Sequence, residues 1–304
     1  MDKFYQTTIK PAAKNINNPQ FKDKHLLEST SKLPSKVDMR SKIKSPIIDQ
    51  GILNSCSACA ISVAVELHLQ SENKSFTNDG KKSTNASPLF IYYNERKIEG
   101  DLNKNTGVHI VHGFDSLADN GTCSEALWPY NCPPMPEEIV KLFKAQDDEK
   151  LMIALSKVMT EHNAALEAVL AEKPSLPALE QASKFRPPKH HELSISEGID
   201  ELRLCLSKGI PFVFGIIIPD TFFNTPPTGL MVVPPKNEFR IGGHALVAVG
   251  YDDSKEAFIV RNSYGKSFGE NGYCYMPYDF ITGSYVANEK ERNNAFDFWC
   301  LLAD

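Results

Sequence analysis

Residues 49–69 read D-Q-G-I-L-N-S-C-S-A-C-A-I-S-V-A-V-E-L-H-L, the most informative stretch of the chain. From Cys56 to Leu69 the residues are apolar on nearly every helical face, which predicts a helix buried inside a domain. A thiol at the start of such a helix lies beside backbone N–H groups without an intrahelical partner and at the positive end of the dipole. That position favours the thiolate, so Cys56 is a candidate nucleophile.

A nucleophilic cysteine requires a base, and the base requires a group that orients it. Two residues far downstream are candidates for these roles. His244 follows a pair of glycines at the predicted start of one strand, and Asn262 follows the predicted end of another. The chain therefore contains a cysteine, a histidine and an asparagine that form a candidate catalytic set with Cys56.

The segments around these residues resemble those of the papain-like cysteine peptidases, with the pattern of bacterial and viral members. The resemblance covers roughly 34–132 and 190–302. It is carried by L-P-S-K-V-D-M-R at 33–40, S-P-I-I-D-Q-G at 45–51, G-H-A at 243–245, R-N-S-Y-G at 261–265, G-E-N-G-Y at 269–273, M-P-Y-D-F at 276–280 and F-D-F-W at 296–299.

The resemblance implies a two-lobed α+β fold, with a buried nucleophile helix in one lobe and an antiparallel sheet or barrel in the other. It implies Cys56 as the nucleophile, His244 as general base and then acid, and Asn262 as the residue that orients the imidazole. It also implies Gln50 as an oxyanion-hole donor beside the backbone N–H of Cys56.

Gly107, Gly243 and Tyr264 are the candidate substrate-binding residues, with Gly107 standing for a glycine-rich segment that the family usually has. Tyr264 occupies the position of a tryptophan that usually shields the histidine and asparagine. The nucleophile segment departs from the family pattern at two positions. Leu53 stands where a disulfide-forming cysteine is usual, and Ser57 stands where an aromatic residue usually follows the nucleophile.

The spacing between nucleophile and base points to an insertion. Cys56 and His244 are 188 positions apart, against about 130–150 in this family. Helical periodicity over 137–172 predicts a helical hairpin or two consecutive helices there. We therefore expect an N-terminal arm or short pro-segment at 1–33 and a peptidase domain at 34–304. A helical insertion at 137–185 interrupts that domain and is a candidate surface for a protein partner or inhibitor.

The pattern outside the insertion predicts helices in the first half and short strands in the last third, which is an α+β arrangement. Pro174 and Pro177 are predicted to end the long helical stretch. The predicted helices are 56–69, 88–98, 108–120 and 196–207, and the predicted strands of a mostly antiparallel sheet are 211–218, 245–251, 257–261 and 272–276.

Composition and charge exclude several classes of protein. Apolar residues make up 41% of the chain and charged residues 23%, which is typical of a globular protein and not of a disordered one. The net charge of −5 argues against nucleic acid as a partner. We expect no membrane insertion and no signal peptide in the given chain. The seven cysteines are an odd, sparse set, which favours a reducing compartment, the cytoplasm or a host cell reached without a cleaved signal.

No cofactor or metal site is expected from the sequence. Adjacent side chains at His190 and His191 point apart, and no second ligand pair follows them at a zinc-site spacing. His109 and His112 lie one helical turn apart without a nearby carboxylate or cysteine in the sequence, which favours a solvated surface pair. Cys59, one turn after Cys56, is expected to be buried and structural.

These features predict a cysteine peptidase that cleaves protein or peptide substrates through a thioester intermediate. Two alternatives stay open. One is a papain-fold binding or regulatory protein in which the altered surroundings of Cys56, Ser57 especially, abolish turnover. The other is a transpeptidase, in which an amine replaces water as the acceptor.

Overall fold

The structure is a computed structural model that describes residues 9–13, 18–22, 33–145, 148–187, 190–238 and 240–302. Its helices are α1 (Cys56–Ser71), α2 (Pro88–Glu99), α3 (Ile110–Asn120), α4 (Glu137–Ala145), α5 (Asp148–Glu161), α6 (Asn163–Ala171), α7 (Leu176–Ala182), α8 (Asp200–Ser207) and α9 (Tyr278–Thr282). Its strands are β1 (Ile9–Lys10), β2 (Lys36–Asp38), β3 (Phe76–Asn78), β4 (Lys81–Ser83), β5 (Val108–His109), β6 (His190–Leu193), β7 (Phe212–Pro219), β8 (Arg240–Asp252), β9 (Ala257–Arg261), β10 (Tyr273–Pro277), β11 (Ser284–Ala287), β12 (Lys290–Asn293) and β13 (Ala295–Leu301).

Helix α1 lies at the centre of the molecule, as predicted. Every residue from Cys56 to Leu69 is buried, and the helix packs against β8, α2 and α3. Its one acidic residue, Glu66, is fully buried and accepts hydrogen bonds from the backbone N–H groups of Lys44 (2.6 Å) and Ser45 (3.1 Å). These bonds offset the cost of burying the carboxylate inside an apolar helix.

The main sheet is antiparallel and has the strand order β10-β9-β8-β7-β13-β6, with β2 paired to β8. All four predicted strands are present, so the α+β expectation is confirmed. Strand β8 begins five residues earlier than predicted because Gly242 and Gly243 continue the ladder with Ile218 and Ile217 of β7. His244 therefore lies inside a strand, opposite Ile216.

The predicted helices outside the insertion are present, but two of them begin later than predicted. Helix α2 begins at Pro88, where the Ser87 hydroxyl accepts from the Phe90 N–H at 3.2 Å, and ends before Gly100. The predicted helix 108–120 is wrong at its start, because Val108 and His109 form β5 and pair in parallel with β1. A pairing partner so distant in sequence leaves no local pattern. The predicted helix 196–207 is confirmed from Asp200.

The described residues of the predicted insertion form four helices, α4 to α7, and not the hairpin or two consecutive helices that were expected. Pro177 does not end a helix, since it occupies the first turn of α7. The insertion packs on the first half of the chain: Gln181 accepts from the Ser124 N–H at 2.8 Å, and Arg96 donates to the Leu170 carbonyl at 3.3 Å. That it binds a partner stays a prediction. Ile153, with 66% of its surface accessible, is an exposed apolar side chain on it.

Part of the N-terminal arm is ordered against the domain. Ile9 and Lys10 form β1 where an irregular segment was expected, and Gln20 bridges to Glu192 of β6. The arm is also expected to include residues 1–8, 14–17 and 23–32, which lie outside the described residues.

The sequence predicts no membrane insertion, and its odd, sparse set of cysteines favours a reducing compartment. Within the described ranges, no helix is long and apolar enough to span a bilayer. All seven cysteines carry free thiols, as expected, and six of them are buried.

Candidate active site

Cys56 is the first residue of α1, and its side chain is fully buried. The sulfur accepts a hydrogen bond from the backbone N–H of Ala245 in β8, at 3.4 Å. Ala245 directly follows His244, so this contact brings the nucleophile helix of the first half beside the histidine strand of the second. The positive end of α1 faces the same sulfur and favours its ionised form.

The loop before Cys56 is held by a backbone conformation that only glycine adopts without strain. Gly51 has φ +59°, and a Cβ on it would lie 1.9 Å from the carbonyl oxygen of Pro133. Further along the loop, Asn54 donates its N–H to Asn105 Oδ1 at 2.8 Å, and Asn105 Nδ2 donates to the Ile52 carbonyl at 2.9 Å. The loop is thereby tied to the segment that leads to Gly107.

His244 and Asn262 form a direct hydrogen bond, with 2.8 Å between Nε2 and Oδ1, and both side chains are buried. The Asn262 oxygen also accepts the N–H of Ser263 at 2.7 Å, which fixes the orientation of the amide. His244 Nδ1 has no hydrogen-bond partner among the described residues.

An aromatic cluster covers this pair. The ring of Tyr264 stacks on the imidazole of His244, with 4.5 Å between centroids and 24° between planes. Phe223 stacks on the other side of Tyr264, and Phe222 and Phe268 meet these rings edge-on or tilted. The cluster excludes water from the histidine and asparagine, which strengthens the hydrogen bond between them.

Burial lowers the pKa of His244 to about 4, and the hydrogen bond to Asn262 acts in the opposite direction. The imidazole is therefore neutral at neutral pH. A neutral imidazole with one unoccupied ring nitrogen is the form that a general base requires.

Gln50 is buried beside the same elements. Its Nε2 donates to the Leu53 carbonyl at 2.9 Å, and its Oε1 accepts from the Ser263 hydroxyl at 2.6 Å. The backbone N–H of Gln50 donates to the Ser263 carbonyl at 2.8 Å. An amide nitrogen carries two hydrogens, so one remains beyond the bond to Leu53. The Ser263 contacts tie Gln50 to the loop that holds Asn262.

Cys59 is the second cysteine of α1. It lies one turn into α1, 3% exposed, with its sulfur 3.8 Å from the Ser55 hydroxyl. Burial raises the pKa of the Cys59 thiol well above its ordinary value, so the thiolate is not populated at neutral pH. This agrees with the expectation of a structural role.

The contact made by Ser57 was not foreseen from the sequence. Its hydroxyl donates to Glu95 Oε2 at 2.9 Å, and Glu95 is fully buried behind the nucleophile. Burial raises the pKa of Glu95 to about 8, an effect that the Ser57 hydrogen bond partly opposes. The carboxyl is thus largely protonated at neutral pH. A glutamate 38 residues away in the sequence gives no local signal of such a pair.

The candidate substrate-binding residues lie in three different settings. Gly107 is buried next to β5, and Tyr264 is half-buried with its ring stacked on His244. Gly243 faces the N-terminal arm: a Cβ on it would lie 2.8 Å from the carbonyl oxygen of Ile9. The structure therefore brings Gly107 and Gly243 to the arm rather than to an open surface.

The expectation of a solvated pair at His109 and His112 needs correction. Glu99 lies against both rings, with its Oε1 2.7 Å from His109 Nδ1 and 2.8 Å from His112 Nδ1. The two histidines are therefore half-buried and share a carboxylate that lies ten residues before His109 and thirteen before His112. The expectation of no metal at 190–192 stays a prediction.

Comparison with known proteins identifies similar proteins over most of the chain. The sequence profile of Peptidase_C1, papain family cysteine protease, matches residues 189–290. An uncharacterized peptidase C1-like protein of Acanthamoeba polyphaga mimivirus is 31% identical over 262 residues, which are 84% of this chain and 68% of that protein. The crystal structure of xylellain, a cysteine protease from Xylella fastidiosa, has a TM-score of 0.73 at 29% identity and covers 97% of this chain and 96% of its own.

A more distant structure extends the comparison of folds. Procathepsin L 3 of Tenebrio molitor larval midgut has a TM-score of 0.60 at 17% identity, over 98% of this chain and 78% of its own. These structures share the α+β fold described above, and the predicted similarity to bacterial and viral members is confirmed.

The buried carboxyl of Glu95 predicts a pH-dependent stability. Because its pKa is raised from 4.5 to about 8, the unfolded chain releases this proton first, and stability falls as the pH rises between these values. We expect Glu95→Gln to gain stability relative to wild type between about pH 5 and 8, by about 3 kcal/mol. Urea unfolding at each pH measures the difference, with Glu180→Gln, an exposed residue on α7, as the control. A gain that is the same at every pH would contradict the assignment.

The contact between His244 and Asn262 predicts a shift in the pH profile of catalysis. Asn262→Asp would place a carboxylate against Nε2, which favours the imidazolium and raises the pKa of His244. The acidic limb of kcat/KM is then expected to move up by about one pH unit or more. Rates on a fluorogenic peptide from acidic to neutral pH measure this, with the exposed Asn103→Asp as control. An unchanged acidic limb in Asn262→Asp would contradict the role of this pair.

Proposed function

The chain belongs to the papain family of cysteine proteases and is a cysteine peptidase, and from this premise we propose that it cleaves peptide bonds through Cys56, His244 and Asn262. In the first step the neutral ring of His244 takes the proton of Cys56 at Nδ1. The sulfur attacks the carbonyl carbon of the substrate, a C–S bond forms, and the carbonyl electron pair moves to oxygen.

The oxygen of this tetrahedral intermediate carries the negative charge, and two donors are proposed to bind it. One is the backbone N–H of Cys56, at the positive end of α1. The other is the second Nε2 hydrogen of Gln50, whose first hydrogen is bonded to Leu53. Donors that are already fixed in place stabilise this charge without reorganisation at the moment of reaction.

The intermediate then collapses. The imidazolium of His244 gives its proton to the leaving amine, the C–N bond breaks, and the acyl group remains on Cys56 as a thioester. His244, neutral again, removes a proton from water, whose oxygen attacks the thioester. The C–S bond breaks, the carboxylic acid leaves, and the sulfur recovers the proton from His244. One water is consumed for each peptide bond cleaved.

One observation carries this proposal above the others: the 2.8 Å bond between His244 Nε2 and Asn262 Oδ1, buried beneath Tyr264. This bond leaves Nδ1 of His244 as the nitrogen that would exchange protons. The next residue, Ala245, donates its backbone N–H to the Cys56 sulfur. Asn262 has no charge to balance the imidazolium, so its role in the proposal is to orient the ring.

The first test is replacement of the nucleophile. Cys56→Ala is expected to lower the hydrolysis of a peptide library by at least about a thousandfold, whereas Cys132→Ala, at a half-buried thiol, keeps full activity. An epoxysuccinyl peptide at about pH 5.5, where an ordinary thiol is protonated and slow, is expected to form one adduct, at Cys56, that His244→Ala abolishes.

Other outcomes of this test separate the alternatives. Hydrolysis that persists in Cys56→Ala would overturn the proposed chemistry. Absence of an adduct in the folded protein would favour a papain-fold binding protein. Incorporation of an added amine into the products would favour transpeptidation.

We also propose that the arm is a short pro-segment that occupies the space between β5 and β8 next to His244. Ile9 is fully buried; its backbone pairs with Val108 of β5, and its carbonyl lies close to Gly243 of β8. Further along the arm, the Ala12 N–H donates to Asp297 Oδ2 at 2.6 Å. A segment in this position would exclude substrate from the same two strands.

The arm proposal predicts latency that a single substitution relieves. Ile9→Asp buries a charge and is expected to release the arm, raising the initial rate on a short peptide by about tenfold or more. Pro11→Ala, at an exposed position of the same arm, is the control. A synthetic peptide of residues 1–22 is expected to inhibit the Ile9→Asp variant. Equal initial rates for the two variants, with no inhibition by the peptide, would contradict the proposal.

A further inference from the structure

A cluster of metal-ligating side chains lies outside the catalytic set. Glu99 is the last residue of α2, His109 ends β5, and His112 lies in the first turn of α3. One ligand atom from each residue, a carboxylate oxygen and two imidazole nitrogens, lies within 4.8 Å of the other two. Three separate elements therefore converge on one point.

The carboxylate at the centre of this cluster is held in place. Glu99 Oε1 accepts the backbone N–H of His109 at 2.8 Å, and both histidine Nδ1 atoms lie within 2.8 Å of it. The Glu99 side chain is 8% exposed, whereas those of His109 and His112 are 27% and 29% exposed. An ion would thus approach from the histidine side and meet an acid that is already oriented.

From this geometry we propose that Glu99, His109 and His112 bind a zinc-class divalent cation. Two imidazole nitrogens with one carboxylate oxygen is a donor set that suits Zn²⁺ and related transition metals, whereas Mg²⁺ and Ca²⁺ prefer oxygen ligands alone. Three protein ligands leave a fourth tetrahedral position for water.

The separations of the ligand atoms are close to those that a tetrahedral ion requires. Ligands at about 2.0–2.1 Å from zinc lie about 3.3 Å from one another. The present oxygen-to-nitrogen distances are 2.7 and 2.8 Å, about half an ångström shorter than this, and all three ligand atoms lie within 4.8 Å of one another. The imidazole rings meet edge-to-face, with centroids 4.9 Å apart and planes at 62°.

The cation would link the end of α2 to β5, the strand on which Ile9 of the arm pairs. Its three ligands are distinct from Cys56, His244 and Asn262, so the proposed ion takes no part in the proposed peptidase chemistry.

Titration of the protein with Zn²⁺, and with Co²⁺ as a spectroscopic probe, tests this site. The Cys56→Ala chain is used so that the nucleophile cannot bind metal. At neutral pH after chelator treatment, calorimetry is expected to give one Zn²⁺ site with a Kd of about 1 µM or lower. Co²⁺ is expected to give a visible absorption band. Absence of saturable binding of either ion would overturn the proposal.

Two conservative variants assign the site to these residues. Glu99→Gln keeps an amide oxygen for the hydrogen bonds but removes the charge that a cation needs, and His112→Gln removes one nitrogen. Each is expected to weaken Zn²⁺ binding by about 100-fold or more. His162→Gln, at a half-buried histidine whose Nδ1 contacts the Val158 carbonyl, is expected to leave binding unchanged. Binding that survives both substitutions would overturn the assignment.

A measurement on the unsubstituted ligands keeps the test independent of folding defects. Zn²⁺ is expected to protect His109 and His112, but not His162, from acylation by diethyl pyrocarbonate, as mapped by peptide mass spectrometry. Modification of His109 and His112 that is the same with and without Zn²⁺ would overturn the proposal.

Discussion

The contact between the first residue of α1 and strand β8 is the interaction on which the rest of the site depends. Ala245 donates its N–H to the Cys56 sulfur, and the position of that sulfur is set by a helix buried along fourteen consecutive residues. Displacing the helix would expose many apolar side chains at about 2 kcal/mol each. The backbone N–H groups that Glu66 binds hold the helix further along its length. The thiol is therefore positioned by the core and not by a flexible loop, which gives the placement that catalysis requires.

Burial of the residues around this contact determines the charge states of His244 and Glu95. Burial under Tyr264 and its neighbours keeps the His244 imidazole neutral, and Asn262 restrains the ring without adding a charge of its own. Burial has the same effect on Glu95, whose raised pKa leaves the carboxyl largely protonated at neutral pH. Ser57, at a position where an aromatic residue is usual, leaves room for this acid and supplies its hydrogen bond.

The parts that extend the peptidase domain meet at the segment from α2 to α3. The arm pairs with β5, the insertion receives a hydrogen bond from Arg96 of α2 at Leu170, and the proposed cation joins Glu99 to His109 and His112. This segment also continues into Asn105, which holds the loop before the nucleophile. The arm, the predicted insertion and the loop before Cys56 therefore all contact one stretch of the chain, from α2 to the start of α3.

The sequence by itself determined the elements that depend on local pattern. A run that is apolar on nearly every helical face predicted α1, and Pro88 at a first helical position predicted α2. Short runs rich in Val, Ile, Phe and Tyr between turn residues predicted β7 to β10, and the ordered motifs predicted that Cys56, His244 and Asn262 would come together. Only the tertiary structure decided the contacts between residues far apart in the chain: β1 on β5, Glu95 beneath Ser57, and Glu99 between two histidines. The physical reason is range. Helix and strand propensities act over a few residues and produce a periodic pattern in the sequence. The partner of a strand or of a buried carboxylate is determined by packing as the chain folds, and no spacing in the sequence indicates it.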